Sequence, residues 1–160
     1  MNSQTPWEAL HEDLADIVDL GRLSHVALRL LAAAALGGLL GYQRESVGKS
    51  AGMRTYMLVT VGAAFFVIVP QVEGMELDGL SRVIQGLVAG IGFLGGGAIL
   101  KLTSDKEVIG LTTAAGIWLT AAIGVAAGFG RIGTALLATL LAFGILSVLY
   151  RWEQMLMKKQ

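Results

Sequence analysis

The chain has 160 residues, of which 54% are hydrophobic and only 15% are charged, and its mean hydropathy is +0.67. These values are too apolar for a soluble domain of this size, and a formal net charge of zero argues against a nucleic-acid binder held by its overall field. The sequence contains no cysteine, which excludes disulfides and cysteine-ligated zinc. We therefore interpret the chain as a small polytopic membrane protein.

The N-terminal segment, residues 1–25, is predicted to form an amphipathic helix on the membrane surface. Thr5 and Pro6 fit the N-cap and the first helical position, and Glu8 is placed as in a capping box. Apolar residues recur on one helical face, the opposite face is acidic, and Gly21 is a plausible stop signal. The segment lacks the basic start of a secretory signal, so we expect it at the outer interface or against the bundle.

Five apolar stretches are long enough to cross a bilayer as helices, which takes roughly 20 mostly apolar residues, with about 17 as the lower limit. They are Val26–Tyr42, Met53–Val69, Val83–Leu100, Val108–Gly128 and Ile132–Tyr150. The connecting segments are short. The predicted fold class is therefore all-α, a polytopic transmembrane helix bundle of five spans in residues 26–150, followed by a tail in residues 151–160.

Basic residues predict the orientation of this bundle in a membrane, because cytoplasmic loops carry an excess of lysine and arginine. Eight cations lie in the first loop, the third loop and the C-terminal tail, whereas four lie on the opposite side. We therefore expect a cytoplasmic C-terminus and an N-terminus outside. An odd number of spans agrees with this assignment, since it puts the two ends on opposite sides.

Glycines are concentrated inside the spans, most densely in the stretch GIGFLGGGAIL at residues 90–100. Glycines four residues apart allow close approach of helices in lipid, where no hydrophobic force drives helix association. We expect packing contacts, within one chain or between protomers, at Gly37, Gly41, Gly86, Gly90, Gly92, Gly96, Gly124 and Gly128. The alternative is that Gly95, Gly96 and Gly97 break the third span, so that free main-chain groups line a site.

The first loop, GYQRESVGKSAGMRT, holds several charged candidates at the membrane surface. Positive-inside topology and a local pair between Glu45 and an arginine such as Arg44 explain most of them. Arg54 differs because it follows Gly52 and directly precedes a long apolar run, so its guanidinium is expected to enter the bundle. A membrane-embedded charge needs a partner, and the partners we expect are Glu45 or main-chain carbonyls near residues 95–97.

Other polar residues lie within the spans. Arg82 and Gln85 are three residues apart and share a helix face at the outer end of the third span. Arg82 fits an interfacial anchor, whereas Gln85 lies deeper and must form a hydrogen bond with another helix or line a cavity. Thr112 and Thr113 open the fourth span, either satisfying their own backbone or lining a pore or site. No residue set fits a catalytic, metal-binding or cofactor-binding motif, so we expect no catalytic residue, metal or cofactor.

Three blocks in this order and spacing carry a resemblance to a known family. They read LLAAAALGGLLGYQRE followed by AGMRTYMLVTVGAA, then RVIQGLVAGIGFLGGGAIL, then GLTTAAGIWLTAAIGVAAGFG. The sequence resembles the MgtC/SapB family of bacterial inner-membrane proteins, and Thr55 is among the matching positions, with the arginines, Gln85 and Thr113. The resemblance implies a five-span inner-membrane domain without enzymatic activity, in a short form without the cytoplasmic domain of longer members.

The same resemblance implies a regulatory or ion-homeostasis role, linked to magnesium limitation, membrane energetics or stress tolerance. The alternative is a transporter or channel for magnesium or another ion, against which the spans offer no acidic residue for a hard cation that prefers oxygen ligands. A third hypothesis is a structural subunit of another membrane protein. We expect the lipid bilayer as a partner, a homodimer as the oligomeric state, and no nucleic acid.

Overall fold

The computed structural model describes residues 5–7, 19–101, 108–150, 152 and 155. In this part of the chain five helices form a bundle: α1 (Leu20–Ser46), α2 (Met53–Val72), α3 (Leu77–Gly97), α4 (Leu111–Gly128) and α5 (Ile132–Gly144), which continues as a π-helical turn at Ile145–Leu149. A short antiparallel pair lies between α3 and α4, formed by β1 (Leu100–Lys101) and β2 (Val108–Ile109). All five helices are long and apolar enough to cross a membrane, which confirms the predicted all-α bundle of five spans.

Helix α1 extends beyond the predicted first span at both ends. It begins at Leu20, because the carboxylate of Asp19 accepts a hydrogen bond of 3.0 Å from the amide of Arg22 and caps the first turn. Gly21 lies inside this turn, so its assignment as a stop signal is wrong. Residues 20–25 therefore belong to the first span, and the remainder of the predicted surface helix lies outside the described residues, apart from Thr5–Trp7.

Helix α3 begins at Leu77 instead of Val83 and stays helical through Gly95, Gly96 and Gly97. The amide of Ala98 donates to the carbonyls of Leu94 and Gly95, which ends the helix directly after the glycines. The alternative that these glycines break the third span is therefore wrong. The carbonyls of Gly95 and Gly96 instead accept hydrogen bonds from the amides of Ala98 and Ile99.

Helix α4 is the centre of the bundle and contacts the other four helices. It meets α2 through glycines, since a Cβ atom built at Gly124 or at Gly128 would collide with the α2 backbone. Helix α1 approaches α2 in the same way, because a Cβ atom at Gly37 or Gly41 would also meet main-chain atoms of α2 or its N-cap. These two glycine pairs form helix contacts, as their spacing predicts.

The glycines of α3 behave differently from those of α1 and α4. Gly95 lies opposite Ala114 of α4, with 3.6 Å between a built Cβ atom and the Ala114 carbonyl oxygen. Five other glycines of α3 have open space beside them, since no atom of a neighbouring described residue lies within 4 Å of a Cβ atom built on them. They are Gly86, Gly90, Gly92, Gly96 and Gly97. Packing at Gly86, Gly90, Gly92 and Gly96 therefore stays a prediction, since no close neighbour among the described residues accounts for it.

Candidate functional site

A buried arginine lies at the end of the bundle where α1 ends and where α2 and α4 begin. Arg44 of α1 is only 3% exposed, and its Nη2 atom donates a hydrogen bond of 3.0 Å to the hydroxyl of Thr113 on α4. Tyr56 of α2 is fully buried, and its phenol lies next to the Arg44 guanidinium. Three helices thus bring one charge and two hydroxyl groups together, and we call these three residues the Arg44 cluster.

Glycines make the space for this cluster. Gly37, Gly41 and Arg44 are four and three residues apart, so they share one face of α1. The two glycines bring that face against α2, and the next position along it, Arg44, is carried into the interior. On α4, a Cβ atom at Gly116 would collide with the Tyr56 hydroxyl, so only glycine leaves room for the phenol.

No carboxylate among the described residues neutralises the Arg44 guanidinium. The carboxylate of Glu45 instead accepts a hydrogen bond of 3.0 Å from the amide of Met53 and caps the start of α2. The expected pair between Glu45 and Arg44 or Arg54 is therefore wrong. The carboxylate side chains in the described part of the chain are all exposed, and they belong to Asp19, Glu45, Glu73, Glu76 and Asp78.

The cluster also has unused hydrogen-bonding groups. Arg44 Nε and the Tyr56 hydroxyl are buried and have no hydrogen-bond partner among the described residues. The hydroxyl of Thr120, two turns after Thr113 on α4, is also buried and has no such partner. Burying a charge is costly unless it is paired and hydrogen-bonded, and buried polar groups normally have partners. An ionisable group inside a membrane bundle is by default a functional candidate, and Arg44 meets that description.

The other predicted polar residues do not join the cluster. Arg54, which was expected to enter the bundle, is exposed, so that expectation is wrong. Gln85 also lies at the surface of α3, where its side-chain amide donates to the Ser81 hydroxyl at 3.4 Å. Three more of the predicted polar residues have exposed side chains, namely Thr55, Arg82 and Thr112. Of the eight polar candidates, the structure brings Arg44 and Thr113 together and gives Glu45 a capping role.

Two arginines that the sequence showed only as part of the charge balance have defined partners at the opposite end of the bundle. Arg29 of α1 donates from Nη1 to the side-chain oxygen of Gln71 at 2.8 Å and to the carbonyl of Gly128 at 3.0 Å. Arg22 donates to the carbonyl of Val72. These carbonyls end α4 and α2, where a cation is favoured by the helix dipole. No local sequence signal shows which helix end a given arginine will reach.

The helices and the buried basic cluster define a small polytopic membrane protein, and comparisons with known proteins identify its family. The chain matches the model of the MgtC family over residues 30–155. It is 41% identical to Protein SrpB of Synechococcus elongatus over 146 residues, which cover 84% of this chain and 80% of that protein. It is 38% identical over 139 residues to YhiD of Escherichia coli K12, which is named a putative magnesium transporter. The chain therefore belongs to the MgtC family.

The relatives differ in how much of their own length the match covers. This chain spans 64% of YhiD and 48% of Protein MgtC of Salmonella typhimurium, to which it is 42% identical over 114 residues. No solved structure matches the chain. Family membership therefore covers the five-helix region, and activities of the longer relatives reach this chain only as proposals.

Proposed function

We propose that the protein has a regulatory, non-enzymatic role in bacterial ion homeostasis, needed under magnesium limitation or membrane stress, and that it does not itself conduct ions. Membership of the MgtC family and the magnesium-related name of one relative support the link to magnesium. The observation that carries the proposal is the buried guanidinium of Arg44, whose charge no carboxylate among the described residues neutralises.

A fixed positive charge inside the bundle opposes the passage of a divalent cation. At a separation of 4 Å and an effective dielectric constant of about 20, a guanidinium and a divalent cation repel each other by about 8 kcal/mol. Magnesium prefers oxygen ligands, usually carboxylates, and gives up its water reluctantly. In the described part of the chain, carboxylates are exposed and the buried polar side chains are neutral except for Arg44. This arrangement favours a regulatory site over a magnesium path.

Whether the protein conducts magnesium is tested by a flux measurement with the purified protein in liposomes that enclose a magnesium-sensitive dye. We expect the same magnesium entry as in empty liposomes, because the buried charge repels the ion and no carboxylate in the described part of the chain is buried where it could replace the hydration shell. Entry above that of empty liposomes would overturn the proposal and favour a transporter or channel. That second function has one observation in its favour, the name of YhiD as a putative magnesium transporter.

The role of the Arg44 cluster is tested separately, by growth of a bacterial strain that requires the protein at low magnesium. We expect Arg44→Gln to abolish growth support at unchanged membrane levels, because it removes the buried charge. Arg54→Ala is the matched control, since Arg54 lies ten residues further on and is exposed. Normal growth with Arg44→Gln would contradict a functional role of the cluster.

We further propose that the protein lies in the bacterial inner membrane with its N-terminus outside and its C-terminus in the cytoplasm. Eight basic residues lie on the side assigned to the cytoplasm and four lie on the opposite side, and this excess supports the orientation. Since the sequence contains no cysteine, single cysteines can report each side. An impermeant thiol reagent should label Glu73→Cys in cells with a permeable outer membrane and intact inner membrane, and Lys49→Cys only after the inner membrane is opened. The reverse pattern would invert the orientation.

Self-association as a homodimer stays a prediction. The exposed glycines of α3, which have no described neighbour within 4 Å of a built Cβ atom, support α3 as the place to test it. Sedimentation in detergent compares the wild type with Gly90→Leu, which adds a large side chain to this face. A dimer that Gly90→Leu converts to a monomer supports an α3 interface, and a wild-type monomer overturns the prediction.

A further inference from the structure

A polar cavity lies between the last turn of α1 and the π-helical turn that follows α5. Its volume is about 300 Å³, at the lower end of the range of about 300–1,000 Å³ that is usual for small-molecule pockets. Polar groups in its lining come from Tyr42, Gln43, Ser46, Ser147 and Tyr150. The cavity lies where two spans end, which is the level of the lipid headgroups when the helices cross a bilayer.

Gln43 is held in one orientation at this cavity. It is 6% exposed, and its Nε2 atom donates a hydrogen bond of 3.2 Å to the carbonyl of Leu146 in the π-helical turn. Because a carbonyl can only accept, this contact assigns the nitrogen and oxygen of the amide. The Gln43 Oε1 atom is left buried without a hydrogen-bond partner among the described residues, and so is the hydroxyl of Ser147.

Gln43 and Ser147 both line the cavity, so a ligand that satisfies these two buried atoms must carry the matching groups. An amide oxygen needs a hydrogen-bond donor, and a serine hydroxyl can donate or accept. A positive charge stands nearby, since the ammonium group of Lys49 lies 6.0 Å from the centre of the Tyr150 ring. A ligand that carries N–H or O–H donors close to a negative phosphate matches this combination.

We propose that the cavity binds the headgroup of a membrane phospholipid whose headgroup carries hydrogen-bond donors. The donors occupy Gln43 Oε1 and the Ser147 hydroxyl, and the phosphate lies towards Lys49. Phosphatidylethanolamine and phosphatidylglycerol carry such donors, whereas phosphatidylcholine has the same phosphate with none. The proposal is independent of the regulatory role, because it concerns residues outside the Arg44 cluster.

Lipid retention measured by native mass spectrometry tests the proposal. The full chain is purified in detergent and mixed with each of the three phospholipids, all with identical acyl chains. We expect retention of phosphatidylethanolamine or phosphatidylglycerol to exceed that of phosphatidylcholine by about tenfold, which is the effect of one additional hydrogen bond. The preferred lipid of the first two identifies the headgroup. Equal retention of all three, or retention of none, overturns the proposal.

Substitutions at Ser147 connect any selectivity to this cavity. We expect Ser147→Ala to reduce the preference over phosphatidylcholine severalfold, and Ser147→Leu to abolish retention by filling the space. Ser24→Ala is the matched control, because Ser24 lies exposed at the other end of α1 and donates to the carbonyl of Gly21. A preference that survives both Ser147 substitutions in folded protein would show that the lipid binds elsewhere.

Discussion

The two ends of the bundle use arginines of the same helix in opposite ways. Arg29 donates to Gln71 and to the carbonyl that ends α4, so its charge meets acceptors on two other helices. Arg44, four turns further along α1, is more deeply buried, yet it has one neutral hydroxyl as its hydrogen-bond acceptor in the described structure. The comparison shows that the two arginines differ in the hydrogen-bond partners of their guanidinium groups. This difference is why we propose a functional role for Arg44 and a structural one for Arg29.

The largest effect on stability is expected from Arg29→Met. This change removes the hydrogen bonds to Gln71 and to the Gly128 carbonyl, and we expect the free energy of unfolding to fall by about 2 kcal/mol. Denaturant unfolding in detergent measures it. Arg131→Met, at an exposed arginine, is the control and should change stability by no more than about 0.5 kcal/mol. Equal stability of Arg29→Met and the wild type would remove the structural half of the comparison.

Arg44→Met is expected to act in the opposite direction. Methionine fills a similar volume and removes a buried charge that no carboxylate of the described residues compensates, so we expect stability to rise by about 1 kcal/mol. The same unfolding assay measures this change. A loss as large as that of Arg29→Met would show that Arg44 stabilises the bundle, and the contrast between the two ends would disappear.

The smallest effect is expected from Tyr56→Phe. The Tyr56 hydroxyl has no hydrogen-bond partner in the described structure, so removing it should change stability by less than about 0.5 kcal/mol. Thr113→Val is the matched comparison, since it removes the acceptor that Arg44 uses and should destabilise the protein more. If Tyr56→Phe proves the more costly of the two, the phenol has a partner that this cluster does not include.

Hydropathy predicted the spans well where a loop ends sharply. The second span was expected to begin at Met53 and does so, and the fifth begins at Ile132 as expected. The starts of α1 and α3 lie at Leu20 and Leu77, well before the apolar stretches. The reason is physical: hydropathy marks the apolar segment, whereas backbone hydrogen bonding carries a helix through polar residues such as Arg22 and Arg82 before that segment begins.

The site was harder to predict than the spans. Arg54 was expected inside because an apolar run follows it, but burial depends on which helix face meets a neighbour. Arg44 lies inside because it continues the face that carries Gly37 and Gly41. This spacing was visible in the sequence, but only the packing shows that the face meets α2. The partners Tyr56 and Thr113 come from other helices, and no local pattern links them to Arg44.

The glycine contacts among α1, α2 and α4 limit how this protein can move. Backbones in such close contact resist rotation past each other, so we expect these three helices to move as one unit. Within it, α1 separates Arg29 from Arg44 by about 22 Å, at about 1.5 Å per residue. We therefore expect any rearrangement of the described bundle to displace α3 or α5 against this unit, and α5 together with the π-helical turn that follows it contributes one wall of the polar cavity.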